Sequence, residues 1–205
     1  MNFPPIPQPS RALVIARYWE DVNWVYRVKD WDLFLYNKGE LMVGLDSIPL
    51  PNVGREAGTY LHHIVEHYDR LADQTAFVQG HPFDHNPSLL EELHGFCGSG
   101  SFFVFNNHGH PLTERGLLRC DLTGGPDHKG LPLREFAWRN GMPIFSDHLL
   151  FTPGAQFIVS RERIRKRPHV FYKELLKDST DPLACYLLER LWPLIFGPVD
   201  AAPFA

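Results

Sequence analysis

The sequence has only three cysteines, Cys97, Cys120 and Cys185, an odd number without a CxxC pair. That excludes a disulfide framework and a zinc ribbon and fits a reducing, cytoplasmic setting. A large charge of one sign is also missing. The net charge of -4 gives no electrostatic reason to expect nucleic acid or an anionic membrane as a partner. No window reaches the roughly 18 apolar residues of a membrane span. The opening lacks the basic start and apolar centre of a secretory signal. The nucleophile elbow GxSxG, the phosphate loop GxxxxGK and the dinucleotide fingerprint GxGxxG are all absent.

What is present belongs to a folded domain. With 44% hydrophobic, 13% aromatic and 21% charged residues in 205, the chain can build one substantial core. Residues 1–11 are rich in proline and are expected to lie extended, leaving 12–205 as a single domain. Continuous apolar runs of β-formers predict buried strands in ALVIARY (12–18), WDLFLYN (31–37), TAFVQG (75–80), FFVFNN (102–107) and GAQFIVS (154–160). Helical spacing predicts a long helix from Arg55 to Leu71, with Leu61, Ile64, Val65, Tyr68 and Leu71 in one stripe. Further helices are expected over 88–96, 132–141, 169–178 and 182–196, and a short one within 19–28. Alternating strands and helices predict an α/β fold with a mainly parallel sheet flanked by helices.

In such sheets ligands bind outside the carboxyl ends of the strands. The polar strand ends are therefore the candidates: the first ends in Arg17, Glu20 and Asp21, and the second in Asn37 and Lys38. Gln79, His81, Asp84 and His85 follow the third, and Asn106, Asn107, His108 and His110 the fourth. In QGHPFDH, Asp84 with His81 or His85 offers oxygen and nitrogen donors to a divalent metal such as Mn, Fe, Zn or Ni. The bland alternative is a turn shaped by Pro82 and Asp84. Asn52 is expected to cap the long helix, with Arg55 and Glu56 in its first turn, an arrangement that also suits an anion. Arg161 follows the last strand directly, and Asp147 with His148 forms a possible acid–base pair. HIVEH (63–67) matches a zinc-peptidase pattern. Its His63, Glu66 and His67 lie opposite the apolar stripe and are expected on a solvated helix face.

The segments ARYWEDVNWV, YNKG, LPNVGREAGTYLHHIVEHYDRLADQTAFVQGHPFDH, FIVSRERIRKRPHVFYKELL and LLERLWPLIFG resemble, in that order, an uncharacterised domain family. The members of that family look distantly like glycosyltransferases of the GT-A type. The resemblance runs from about Ala12 to Gly197. It implies a Rossmann-like, GT-A-like sheet with a nucleotide-sugar over the end of the first strand. Arg17, Glu20 and Asp21 would then lie near the nucleotide, and Arg55 and Glu56 beside the donor pocket. QGHPFDH would stand where such enzymes carry an Asp-x-Asp metal motif for Mn or Mg, although histidine replaces the first aspartate here. Glu162 and Glu189 become candidate bases by the same analogy. The expected activity is sugar transfer from a nucleotide donor. The alternatives are another metal-dependent enzyme, using non-haem iron or acid–base chemistry at His81, Asp84 and His85, and a non-catalytic binding protein. The sequence does not indicate an oligomeric state.

Overall fold

The computed structural model describes residues 10–97, 102–105, 117–122, 130–198 and 200. The proline-rich arm up to residue 9, and the candidates Asn106, Asn107, His108 and His110, lie outside the described residues. Strand β1 (Arg11–Arg17) holds the first apolar run, and Leu13, Val14 and Ile15 have no exposed surface. Side chains alternate across a strand, so a run buried throughout requires a layer on each face. Both layers are present. Val14 packs with Tyr60, Leu61 and Ile64 of α1 (Arg55–His67) and with Leu188 and Trp192. Leu13 and Ile15 point the other way, toward Trp24, Trp31, Leu90 and Leu93.

The chain continues through a 3-10 turn (Asn23–Arg27) to β2 (Asp32–Asn37), the short β3 (Ile48–Pro49), α1 and β4 (Gln74–Gln79). Helix α2 (Leu89–Gly95), β5 (Phe102–Val104), β6 (Leu118–Asp121), α3 (Leu133–Arg139), β7 (His148–Phe151) and β8 (Phe157–Ser160) follow. Helices α4 (Arg161–Ile164), α5 (His169–Asp178) and α6 (Ala184–Phe196) complete the order. The main sheet runs β3-β2-β1-β4-β8-β5, while β6 and β7 pair as a separate antiparallel ribbon. Strands β3, β2, β1 and β4 are parallel, and β8 is antiparallel to both of its neighbours. The fold is thus a mixed α/β domain with a mostly parallel central sheet. No helix among the described residues is long and apolar enough to cross a membrane.

Three expectations need correction. Helix α1 ends at His67, so Leu71 is not part of it. His63 is not on a solvated face: it is 1% exposed, and its Nδ1 lies 3.0 Å from the Tyr36 hydroxyl of β2. The helix lies on the sheet with β2 beneath that edge, so Phe34 and Tyr36 cover imidazoles that the apolar stripe alone leaves outside. Burial, reinforced by the neighbouring His67 and His62, pushes the His63 pKa down to about 3. Asn52 is not the cap either. Gly54 occupies that position at φ 68°, and a Cβ there would come within 2.8 Å of the Ser179 carbonyl oxygen. The backbone approach to Ser179 therefore selects glycine.

Candidate functional site

Strand order reverses beside β1: the chain steps outward to β2 and β3, then returns to β4 on the other side of β1. Connections leaving the carboxyl ends of β1 and β4 diverge there, which opens a crevice between them. The crevice is a cleft of about 610 Å³. Its floor is Ala16 and Arg17 from the end of β1 and Gln79 from the end of β4. Lys38 comes from the end of β2, Asn52 from the connection into α1, and Arg55 and Glu56 from the first turn of α1. Tyr18, Trp19 and Glu20 form one wall, with His81 and Asp84 close by.

The β1 rim is tied by hydrogen bonds. Arg17 donates from Nε to the Glu20 carbonyl at 3.0 Å and from Nη1 to Asn37 Oδ1 at 2.6 Å. Glu20 Oε2 accepts from the backbone N–H groups of Tyr18 at 2.7 Å and Trp19 at 3.1 Å. That clamp leaves Trp19 80% exposed at the mouth of the cleft, a geometry that apolar burial alone would not select. Sequence reasoning assigned Tyr18 to the strand and Trp19 to a following helix, and so missed both as wall residues. The signal was there: two aromatics directly after a strand's carboxyl end.

Lys38 donates from Nζ to the carbonyl of Val53 at 2.6 Å and to the carbonyl of Arg55. Burial pulls its pKa down to about 8, against the smaller opposing pull of Glu56. Arg55 has φ 46°, an uncommon value for a residue with a Cβ, and donates from Nη1 to the Tyr186 hydroxyl at 2.9 Å. Glu56 faces the cleft half-buried. Burial raises its pKa most, and the charge of Glu189 adds to that, against Arg55 and Lys38. Glu189 lies behind, where Oε1 accepts from the Gly154 N–H at 2.7 Å and Oε2 pairs with Arg190 at 3.0 Å.

Across the cleft, the 3-10 turn Pro82–Asp84 brings His81 Nδ1 within 3.3 Å of Asp84 Oδ2. The side chains of both are exposed, 49% and 76%. His85 does not join them: its ring packs on Gly154. Among the described residues no three His, Cys, Asp or Glu side chains converge on a point that could hold a metal ion. His81 and Asp84 together would supply two ligands to a divalent cation, whose remaining ligands would come from water and substrate.

The remaining candidates lie elsewhere. Asp21 accepts from the Asn23 N–H at 2.9 Å and shapes the turn after β1. Asp147 is exposed 3.8 Å from Arg134, near the start of the β7 ribbon. Arg161 pairs with Asp73, which directly precedes β4. It follows that Arg161 and the exposed Glu162 beside it stand on the opposite rim of the sheet. The cause is the antiparallel β8, whose carboxyl end is level with the amino end of β4.

No curated protein and no solved structure matches the chain. Residues 13–93, which span β1 to most of α2 and contain every residue lining the cleft, match the family model described as Protein of unknown function (DUF3431).

Proposed function

We propose that the cleft binds a nucleotide-sugar and that the protein is a transferase of glycosyltransferase type. The observation that carries this reading is the position of a cleft lined by both cations and carboxylates at the reversal of strand order, over the carboxyl ends of β1 and β4. Arg17, Lys38 and Arg55 supply positive charge to a diphosphate, and the first turn of α1 adds its backbone N–H groups. Two of the three Lys38 donors are held by carbonyls, which leaves the third for a ligand oxygen. Tyr18 and Trp19 offer aromatic faces to a base.

A divalent cation held by Asp84 and His81 would neutralise charge on the leaving diphosphate. The acceptor hydroxyl oxygen forms a bond to the anomeric carbon as the bond from that carbon to the diphosphate oxygen breaks. The electron pair leaves with the nucleoside diphosphate, and the hydroxyl proton passes to a carboxylate. Glu56 suits that role better than Glu189, because Glu189 is committed to Gly154 and Arg190 while Glu56 faces the cleft. Its raised affinity for protons makes it a stronger base than an ordinary carboxylate.

The test is calorimetry with UDP and GDP, each with and without Mn or Mg, followed by a product assay with the corresponding nucleotide-sugars. Nucleotide binding that metal strengthens in the wild type but not in Asp84→Ala supports the reading. Absence of nucleotide binding under all conditions overturns it. Binding without turnover of any donor would leave a binding protein and refute the transferase.

A further inference from the structure

A second cavity lies on the far side of the Pro51–Val53 segment, between α1 and α5, with a volume of about 560 Å³. Its floor is apolar, made by Leu50, Pro51, Val53, Val65 and Leu176. Three lysines, Lys38, Lys173 and Lys177, and one histidine, His62, border it, and no aspartate or glutamate lines it. Glu174 is paired with Lys177 at 2.7 Å and is not part of the lining. The volume falls in the range of small-molecule pockets, roughly 300–1,000 Å³. Its apolar floor rules out a fully polar ligand such as a free sugar or phosphate, since the floor would strip water without offering hydrogen bonds. Cations without lining anions select against cationic ligands.

We propose that this groove binds a single-chain aliphatic carboxylate, with its chain along the apolar floor and its head group beside Lys173 and Lys177. The site is separate from the nucleotide reading: it shares only Lys38, which stands in the wall between the two cavities. Lys173 and Lys177 are exposed on α5, so reversing their charge leaves the core untouched.

Decanoate, decanol and decyltrimethylammonium are titrated calorimetrically into the full chain. Decanoate binds saturably, decanol binds more weakly, and the cationic amphiphile does not bind. In the Lys173→Glu, Lys177→Glu double variant, decanoate affinity falls about tenfold or more while decanol affinity is unchanged. Trp19→Ala, at the mouth of the other cleft, leaves decanoate affinity at the wild-type value. The proposal is overturned if decanoate binding is not saturable, or if all three amphiphiles bind alike. It is equally overturned by full affinity in the double variant or by loss of affinity in Trp19→Ala. None of these outcomes depends on whether UDP or GDP binds, so the two readings fail separately.

Discussion

Raising the pH through about 8 discharges Lys38 in the folded protein, because burial has moved its pKa down from 10.5 to that value. The sign follows from the chemistry of an amine: it is charged below its pKa and neutral above. At about pH 7 roughly 90% of Lys38 carries its charge, and at about pH 9 roughly 10% does. If a diphosphate requires the charged form, affinity falls about tenfold between those two values, since the second phosphate ionisation, near pKa ~6, is already complete. Isothermal titration with UDP at both pH values measures this directly. Lys38→Met keeps much of the stem but has no charge to lose, so its weaker binding varies little over the same interval. Thermal unfolding of both proteins confirms that the variant folds. The reasoning is refuted if wild-type affinity is level between about pH 7 and 9, or if the tenfold fall persists in Lys38→Met.

Asp84→Ala is expected to abolish metal-dependent nucleotide binding and turnover while changing stability by less than about 0.5 kcal/mol, because the side chain is 76% exposed. Unchanged binding, or a large fall in the unfolding midpoint, would contradict this. Trp19→Ala is expected to weaken nucleotide affinity by about 1–3 kcal/mol, the worth of one base-stacking aromatic. A fluorescence titration reporting identical affinity for the variant would remove Trp19 from the site. His63, buried and neutral with a pKa near 3, makes the native state lose stability as pH falls from 6.5 toward that value. Between about pH 7 and 4.5 this amounts to about 3 kcal/mol, read by urea unfolding, and His63→Phe should show a loss smaller by that amount. An equal acid loss in both proteins would mean that His63 does not remain neutral in the fold.

Much of the scaffold was legible because burial on both faces leaves a plain mark: Leu13 to Ile15 and Ala76 to Val78 are apolar without interruption. The long helix was legible by its period. The direction of β8 was not, because its apolar run, Phe157 to Val159, reads the same whether the strand runs parallel or antiparallel. That one ambiguity carried Arg161 to the wrong rim. The short β3 and the β6–β7 ribbon escaped because two to four residues cannot establish an alternation. His63 escaped for a different reason: the Tyr36 hydroxyl that partners it comes from another strand, and local periodicity does not report such a contact.

The candidate site divides along the same line. Residues at or soon after the carboxyl end of a parallel strand, such as Arg17, Lys38, His81 and Asp84, could be placed near one another from the topology alone. Each sits within a few residues of a strand whose neighbours fix its direction. Asp147, chosen for chemical type, and Glu162, taken from the family analogy, had no such anchor, and they lie beside the ribbon and on the opposite rim; His85 follows the same strand as Asp84, but its ring packs on Gly154. Glu56 and Glu189 are the instructive pair. Both are carboxylates on helices, yet one faces the cleft while the other is tied to Gly154 and Arg190. Their mutual repulsion adds to burial in raising the proton affinity of Glu56. In the proposed transferase the base would be the carboxylate that its neighbours leave facing the cleft, and that depends on how α6 docks against α1.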